Sequence, residues 1–532
     1  MRKIISILLT CLLAIAIFTV SATASGAYVF YSTFGAVGDG VTCDFDAIYA
    51  AHAFANAQNR PVRATPGAVY YLTGLGRTVT IQTSTNWTDA SFIIDNSIVS
   101  TALGQHSHNV FRVSSRLANT SLTGQVESLS VGQTNIGITL PQTSLVSVYN
   151  NNIRHYIRRG SNSFSPMRDL LIIDQNGNVD PATPIIWDFE QITSMYARPI
   201  DSETLYITGG HFTTIESANG WVSPYFHRGL RVERSNVVID GLVHEVIDEI
   251  PGEVPPNNGF LTMGSAANLV VQNAAFAGRM RAQHGSYDIH HWNTVNVLFY
   301  NVTQTNDIHD WNRWGIHASN NTRNVTFDNV SLSRIDAHRS VNNLSILNSE
   351  IGYSGLALIG RGTLLVENTT VRSWNFITLR HDFGSTWDGD MILRNNRFIP
   401  LGNDVVLINS TNNGDFYFGH PTTLPHSIYI DGLVIDDRHL SFVRNRVLGF
   451  LPTQFYTGPS ILGALHEYGN DALYITLFWD WLTNRNSSYP FGLTQEVTLR
   501  NVEVTSGRRL RLSKNIFRLR PRIFPNVSVT NR

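Results

Sequence analysis

Residues 325–348 read VTFDNVSLSRIDAHRSVNNLSILN, and this stretch contains two copies of one short pattern. In each copy apolar residues alternate with other residues and an asparagine follows, first as VTFDN ending at Asn329 and then as LSILN ending at Asn348. Such alternation is typical of a strand with one buried face, because successive side chains of a strand point to opposite sides. The two copies therefore predict two strands, each followed by a tight turn.

The pattern recurs along most of the chain, and its last position is always Asn or Gly. The copies end at Gly209, Gly241, Asn273, Asn301, Asn329, Asn348, Asn368, Asn395, Gly432 and Asn501. Asn and Gly tolerate a positive φ best, so we expect left-handed backbone at this position. Consecutive copies between Gly209 and Asn395 lie 19 to 32 residues apart. A constant motif at variable spacing indicates coils of one cross-section with loops of variable length.

This organisation predicts an all-β protein, a parallel β-helix in which each coil stacks on the one before it. With a strand spacing of about 4.8 Å, ten or more coils would give a rod of roughly 50 Å or longer. A β-sandwich or a β-propeller is the alternative. A propeller blade repeats every 40–50 residues or so, and the shortest steps here are too short for that.

The N-terminal part of the chain has a different pattern. Residues 34–72 read FGAVGDGVTCDFDAIYAAHAFANAQNRPVRATPGAVYYL, which predicts a Gly-rich turn, a helix over 44–59 and then strands. Ala47, Ile48, Ala51, Phe54 and Ala55 form the apolar stripe of that helix. We expect the helix to cover the open end of the first coil, where core and strand edges would otherwise be exposed.

This N-terminal stretch resembles the signature of the pectate lyase-like superfamily, whose usual form is FGAxGDGxTDDTxAI. Asp39, Gly40 and Ile48 fit that form, whereas Cys43 and Phe45 replace two commonly polar positions. The resemblance implies a single-stranded, right-handed parallel β-helix with substrate clefts on the outer face of the first sheet. Members of the superfamily include polysaccharide lyases, glycoside hydrolases, uronate epimerases, phage tailspike depolymerases and non-catalytic proteins.

The first 24 residues have the features of a secretory signal peptide. Arg2 and Lys3 precede an apolar run, and a small-residue cleavage pattern follows at 22–24. The predicted organisation is a signal peptide at 1–24, a capping segment with a helix at 25–80, the parallel β-helix at 81–440, and the last coils with a C-terminal cap at 441–532. We therefore expect a secreted, extracellular or periplasmic protein that has no membrane anchor after cleavage.

Composition narrows the function classes. The 532-residue chain has a net charge of −1, so no basic surface suggests a nucleic-acid partner. Its two cysteines are Cys11, within the signal peptide, and Cys43, so the mature chain has no internal disulfide. Lysine occurs only at Lys3 and Lys514, which excludes a lysine-dependent site in the middle of the chain. The sequence does not indicate an oligomeric state.

The first strand of each coil lies between one motif and the next, and its register can be counted. If Ile335 and Ala337 point inward, then Arg334, Asp336 and His338 point outward. The same counting in neighbouring coils predicts a band of eight outward ionisable residues: Asp288, His290, His317, Arg334, Asp336, His338, Arg380 and Asp382. Histidine titrates near neutral pH and suits proton transfer. A solvated outer strand with surface ion pairs would explain the same residues without any chemistry.

Further side chains next to the band are candidates for substrate binding: Tyr287, Trp311, Trp314 and Arg339. The two tryptophans lie in the loop QTNDIHDWNRW at 304–314, and exposed aromatic rings can stack on sugar faces. Packing of the loop itself is the alternative. The element SYDIHHW at 286–292 also resembles the Tyr–Gly–x–Asp–Pro–His element of uronate epimerases and some lyases of the superfamily, although the proline is absent.

Three functions remain open at this point. A lyase would use an arginine to neutralise a uronate carboxylate, His338 or His290 as the base, and Tyr287 or His317 as the acid. A glycoside hydrolase would use two of Asp288, Asp336 and Asp382. A non-catalytic glycan-binding or structural β-helix would need neither. The partner expected in the first two cases is a polysaccharide. No cofactor is evident, and no motif supports a calcium site.

Overall fold

The computed structural model describes residues 28–159, 164–217, 225–282, 284–402, 405–410, 420–440, 446–447, 451–452, 474–478, 492–513 and 526–530. The protein is all-β, with one α-helix in the described part of the chain. Most strands pair in parallel with a strand of the next coil, and the pairs follow one another in chain order. Three parallel ladders result, and we number them by the order in which each coil contributes its strands.

The first ladder runs through the strands that precede the motif. Its strands are Val79–Ile81, Phe111–Ser114, Leu230–Glu233, Asn258–Gly264, Tyr287–Trp292, His317–Asn320, Ser331–Asp336, Glu350–Leu358, Asn375–Leu379, Val406–Asn409, Tyr474–Phe478 and Arg509–Ser513. Consecutive strands of this ladder are joined by parallel pairs.

The second and third ladders lie before and after the motif turn. The second comprises Thr85–Asp95, Leu205–Ile215, Val237–Asp240, Ala267–Phe276, Val295–Gln304, Thr322–Asp328, Val341–Leu347, Gly360–Glu367, Trp387–Pro400, Ser427–Ile435, Glu496–Val504 and Asn526–Thr530. The longer of these strands continue through the turn into the third ladder, which also includes Val243–Ile247, Ser331–Asp336, Glu350–Leu358 and Thr370–Ser373. Two short antiparallel pairs lie outside the ladders, Arg279–Met280 with Arg313–Gly315 and Arg446–Val447 with Leu451–Pro452.

The left-handed turn predicted from the repeats is confirmed at all ten positions. Their φ values lie between 49° at Asn501 and 77° at Gly241. The asparagine side chains also pair from coil to coil: Nδ2 of Asn301 donates to Oδ1 of Asn273 at 2.8 Å, and Nδ2 of Asn329 donates to Asn301 at 3.2 Å. Asparagine thus supplies both the backbone geometry and a hydrogen bond to the coil below.

A second column of asparagines, which the sequence analysis did not identify, lies at or just before the start of the second-ladder strands. Its members also have positive φ: Asn236, Asn268, Asn296, Asn324 and Asn343. Each member after Asn236 donates through Nδ2 to Oδ1 of the previous one, over distances of 2.9 to 3.1 Å. The second ladder is therefore bounded by an asparagine column on each side.

The α-helix spans Phe45–Gln58, as expected for residues 44–59. Ile48, Ala51 and Ala55 are buried within the main core, whereas Phe54, which we assigned to the apolar stripe, is largely exposed. The helix contacts the strand Val79–Ile81 of the first coil. Three other strands of the N-terminal part pair in parallel with their neighbours: Val29–Phe30, Asp39–Cys43 and Val62–Arg63; a fourth, Val69–Leu72, pairs with the next coil.

Residues 120–199 form a separate antiparallel sheet within the region assigned to the β-helix. Its strands are Thr120–Ser121, Ser144–His155, Ser165–Ile173 and Ser194–Pro199, and it has its own apolar core. The buried ion pair between Asp169 of this sheet and Arg323 of the second ladder, 2.9 Å long, attaches it to the coils. We call this unit the insert. Its importance for the site is that its hairpin reaches the first ladder.

The predicted signal peptide at 1–24 lies outside the described residues. Four of the described strands after residue 440 continue the parallel ladders: Tyr474–Phe478, Glu496–Val504, Arg509–Ser513 and Asn526–Thr530. Within the described ranges, no helix combines the length and the apolar character needed to cross a membrane.

Candidate functional site

The register of the first ladder decides which side chains share its outer face. Leu261 pairs with Ile289 and Ile289 with His317, and this row points into the core. The neighbouring row points outward and contains Thr262, His290 and Ala318. The bridge between Ser319 and Ala337 extends the outward row to Asp336 in the next coil.

Asp336 is the centre of this face. It is fully buried, and two arginines bond its carboxylate: Nη2 of Arg334 lies 2.6 Å from Oδ2, and Nη1 of Arg380 lies 2.8 Å from Oδ1. Burial alone would raise the pKa of Asp336. The charges of Arg334 and Arg380 outweigh it and hold that pKa well below the usual value. Asp336 is therefore a permanent carboxylate at neutral pH.

Arg380 joins Asp336 to a second carboxylate. Its Nη2 lies 2.8 Å from Oδ2 of Asp382, which also receives Nε of Arg158 at 3.1 Å. Arg158 belongs to the hairpin of the insert, so the insert contributes a charge to this face. Bonds from Arg380 and the charges of both arginines lower the pKa of Asp382, although burial opposes them. Both carboxylates of the cluster are thus ionised and paired.

His338 lies beside this ion cluster and is partly open to solvent, with 22% of its side chain exposed. Its Nδ1 is 3.8 Å from Oδ2 of Asp336 and 3.4 Å from Nη1 of Arg380. Burial lowers the pKa of His338 and exceeds the opposite effect of Asp336. The imidazole is therefore neutral at neutral pH. Nη1 of Arg380 can only donate, so the tautomer protonated on Nε2 accepts from Arg380 through Nδ1, whereas the tautomer with Nδ1–H faces the Asp336 carboxylate and leaves Nε2 as the base.

Two further side chains, both on the strand Tyr287–Trp292 two coils earlier, lie on the same face. Nε2 of His290 accepts from Nδ2 of Asn320 at 2.8 Å, and burial lowers the pKa of His290 to about 3. The Tyr287 ring lies 6.3 Å from that of His290. Burial and the nearby charge of Asp336 raise the pKa of Tyr287 to about 12, so its hydroxyl stays protonated.

The predicted binding residues lie around the cluster. The guanidinium of Arg334 is 4.9 Å from the ring centroid of Trp314, which meets Tyr287 edge to face at 6.5 Å. Trp311 is 64% exposed, and no ring contact joins it to the cluster. The positive charge of Arg158 and burial lower the pKa of Arg339, which places Arg339 near the insert hairpin.

The predicted outward position of Asp288 is wrong. Asp288 is fully buried behind the outer face, where its Oδ2 bonds Nδ1 of His244 at 2.6 Å and its Oδ1 lies 3.5 Å from Arg279. The register shifts between Asn258 and Leu261, and the N–H groups of Asp288 and Ile289 both donate to the Ile316 carbonyl. This irregularity turns Asp288 away from the face that His290 occupies.

The predicted outward position of His317 is also wrong. His317 packs edge to face on Phe327 at 4.9 Å within the core, and its Nε2 is 3.0 Å from Nε2 of His291. The prediction counted the alternation from Ile316, but the strand begins at His317 and follows Gly315, whose φ is 140°. The alternation therefore does not extend through Ile316.

Sequence reasoning missed Asn320 and Arg158. Asn320 ends the strand after that of His290, so counting the register could have found it. No local signal could have identified Arg158, because only the tertiary fold brings the insert hairpin to Asp382. Across the described ranges, no group of three or more His, Cys, Asp or Glu side chains is placed to hold a metal ion.

We compared the chain with known proteins. No protein-family model matches the sequence, and no curated protein is similar to it. Among solved structures, the tailspike protein gp49 from Pseudomonas phage LKA1 matches with a TM-score of 0.53 and 13% identity, over 89% of this chain and 81% of the tailspike. The fold is shared with a phage tailspike. At this level of identity the similarity concerns the architecture alone.

Two other matches are weaker. The tailspike gp61 of Pseudomonas phage phi297 gives a TM-score of 0.49 at 12% identity, over 89% of this chain and 80% of that one. The polygalacturonase from Erwinia carotovora ssp. carotovora gives 0.34 at 9% identity, over 95% and 97%.

Proposed function

We propose that this protein cleaves a uronate-containing polysaccharide by β-elimination, on the outer face of its first ladder. The observation that carries the proposal is the state of the ionisable groups: Asp336 and Asp382 are both paired with arginines, whereas the neutral imidazole of His338 beside them is accessible. β-Elimination requires a base and a neutralised substrate carboxylate. It does not require a protonated carboxyl group on the enzyme.

Hydrolysis by paired aspartates fits this arrangement less well. A glycoside hydrolase uses one carboxyl group that stays protonated and donates to the leaving oxygen. The pKa of Asp336 is held well below its usual value and that of Asp382 is also lowered. Neither group would hold a proton at neutral pH, so neither can serve as the general acid.

The proposed step balances in protons and electrons. Nε2 of His338 takes the proton from C5 of the uronate, the C4–C5 double bond forms, and the C4–O4 bond breaks with its electrons on O4. The hydroxyl of Tyr287 gives its proton to O4 and is restored from solvent. The imidazolium formed on His338 is stabilised by Asp336, whose Oδ2 lies 3.8 Å from Nδ1, and it releases the proton to solvent before the next turnover. The initial elimination therefore needs no water and no redox partner.

Arginines supply the charge that the substrate carboxylate needs. Three guanidinium groups contact the two carboxylates of the cluster, those of Arg158, Arg334 and Arg380, which leaves one positive charge in excess. Arg158 is exposed, so it is the group we assign to the uronate carboxylate. Withdrawal of carboxylate charge is what makes the C5 proton acidic enough for a histidine base.

The rest of the proposal concerns the setting of the enzyme. We propose a secreted protein, extracellular or periplasmic, whose first 24 residues are removed and whose capping segment, right-handed β-helix and C-terminal cap follow the boundaries 25–80, 81–440 and 441–532. The insert at 120–199 lies within the second of these regions.

The test is a screen of the mature protein against acidic and neutral glycans. A lyase product contains a C4–C5 double bond, which absorbs in the ultraviolet, and every cleavage creates a reducing end. We expect both signals with a polyuronate and neither with a neutral glycan. Reducing ends without absorbance would establish hydrolysis instead, and glycan binding without any product would establish a binding protein.

The His338→Ala variant links the activity to this face. We expect it to lose the absorbance signal, while His211→Ala, a control at an exposed histidine that pairs with Glu245, should keep it. Activity that persists in His338→Ala would place the reaction elsewhere on the protein.

A further inference from the structure

A row of aromatic side chains continues from the cluster along the coils. Trp314 precedes the first-ladder strand His317–Asn320, Tyr353 lies two coils further on, and Trp374 lies one coil beyond Tyr353. All three occupy the same part of the coil, where the chain enters the first ladder. With a rise of about 4.8 Å per coil, the row spans roughly 14 Å along the stack.

Several contacts connect the segments that carry these three residues. The guanidinium of Arg281 lies 5.8 Å from the ring centroids of both Trp314 and Tyr353. Oγ of Ser354 donates to the Trp314 carbonyl at 3.4 Å. Gly355 then lies against Ser373, the residue before Trp374. Arg281 thus connects the first two rings and adds a positive charge between them, and the pairing of Leu356 with Ile377 places Trp374 beside Tyr353 in the next coil.

Trp374 is held in place although it is exposed. Trp374 is 55% exposed. Its ring nevertheless rests on Gly402. A Cβ at Gly402 would lie only 2.7 Å from the ring, so a larger residue there would displace the indole. An exposed indole with a fixed orientation loses little conformational entropy when it binds a flat partner.

We infer that Trp314, Tyr353 and Trp374 form a binding track for an acidic polysaccharide chain that lies along the stacking axis. One end of the track meets the ion cluster, because Trp314 covers Arg334 and Arg334 bonds Asp336. The rings stack on the apolar faces of sugars along the chain, and Arg281 binds a carboxylate of that chain. The inference rests on the proposed function for the identity of the chain and makes the enzyme one that binds several sugar units beyond the bond it cleaves.

A single exposed tryptophan on a protein surface needs no functional explanation. Three aromatic residues at the same part of the coil, with an arginine between two of them and the reactive face at one end, differ from that case. A track for a neutral glycan would not need Arg281. A protein partner would not give an affinity that rises with the number of sugar units.

The test measures binding as a function of chain length in the His338→Ala background, so that cleavage does not interfere. The probes are oligogalacturonates and oligomannuronates of two to ten units together with their carboxyl-reduced neutral counterparts. We expect the affinity of the His338→Ala protein for one of the two acidic series to rise with the number of sugar units. Trp374→Ala should weaken the longest chains about tenfold, as for a typical aromatic anchor, and leave the dimer unchanged.

Three variants make the result specific. Trp374→Phe should recover part of the affinity, Arg281→Gln should weaken acidic chains only, and Tyr196→Ala, an exposed aromatic of the insert, should change nothing. Equal loss for short and long chains, or no loss in Trp374→Ala, would overturn the track. If length-dependent, Trp374-dependent binding is found but the wild-type protein cleaves nothing, the proposed elimination fails and the track stands.

Discussion

The guanidinium of Arg380 bonds the carboxylate of Asp336 across two coils of the chain, with Nη1 2.8 Å from Oδ1. Both side chains are shielded from solvent, and Arg380 also holds Asp382. A strand-by-strand view would assign each residue to a separate surface strand. The parallel stacking makes them one ionic unit.

Removing Arg380 should destabilise the protein. Arg380→Met leaves the buried carboxylate of Asp336 with one arginine, and we expect the free energy of unfolding to fall by about 3–5 kcal/mol. Urea unfolding measures this, with Arg372→Met at an exposed position as the control. In a double-mutant cycle Asp336→Leu should cost much less when Arg380 is already Met. Strictly additive losses would show that the two residues are not coupled.

His338 should set the acid limb of the rate profile. The elimination needs its neutral form, and burial lowers its pKa, so activity should be lost only as the pH falls through a value below 6.5. His338→Ala should lower kcat/KM by about 10²–10⁴-fold while the melting temperature changes little. A profile whose acid limb lies above 6.5 would contradict this role.

Buried neutral histidines should make stability fall in mild acid. Burial lowers the pKa of His52, His290 and His317 to about 3. Between pH 6 and 4 the unfolded chain protonates these residues and the native protein does not, so the unfolded state binds more protons and is favoured as the pH falls. Each of these histidines lowers the free energy of unfolding by about 1.4 kcal/mol for each pH unit of acidification in this range.

Urea unfolding at pH 7, 6, 5 and 4 measures this dependence. Replacing one of the three, as in His52→Leu, should reduce the slope of the free energy of unfolding against pH by about 1.4 kcal/mol per pH unit. A stability that stays constant from pH 6 to 4 would show that these histidines titrate normally in the folded protein.

Substitutions at Asn329 should separate the contribution of the left-handed backbone to stability from that of the side-chain hydrogen bond. At Asn329, where φ is 54°, alanine loses the side-chain bond to Asn301 and also meets the left-handed penalty of about 1–2 kcal/mol. Asn329→Gly loses only the bond. We therefore expect Asn329→Ala to melt at a lower temperature than Asn329→Gly. Identical melting of the two variants would mean that the turn conformation contributes nothing.

The insert should loosen when its buried ion pair is removed. Arg323→Met breaks the bond to Asp169 and the hydrogen bond that Nη2 donates to the Pro184 carbonyl at 2.7 Å. We expect limited proteolysis within 120–199 to become faster while the coils remain protected. Mass spectrometry of the fragments locates the cuts. Unchanged cutting of the insert, or equal cutting of the coils, would contradict this attachment.

Much of the β-helix follows from local sequence. Strand alternation and a turn residue with positive φ recur in each coil, so the left-handed backbone at Asn301 and Asn329 could be predicted from the residue type and its place in the motif. The insert has no such repeat, and its sheet depends on pairing between strands far apart in sequence. The second asparagine column escaped notice because Asn236 and Asn268 lie at the start of their strands and do not end a motif.

The candidate site was predictable only where alternation is regular. Asp336 ends the strand Ser331–Asp336 and Arg380 directly follows the strand Asn375–Leu379, so counting residues along these strands placed the two together. Asp288 follows a shift in register and His317 follows Gly315, and neither irregularity shows in the residue pattern. Arg158 depends on how the insert docks, which no count along a strand can supply.

The insert hairpin has a further consequence for how new specificities could arise in this protein. One wall of the candidate site, through Arg158, is carried by a unit that has an apolar core of its own and that packs on the coils through Leu145, Leu170 and Ile172. The groups assigned to proton transfer, His338 and Tyr287, are carried by the coils. Under the proposed function, exchanging the insert would therefore change which substrate carboxylate is bound and leave the groups assigned to proton transfer in place.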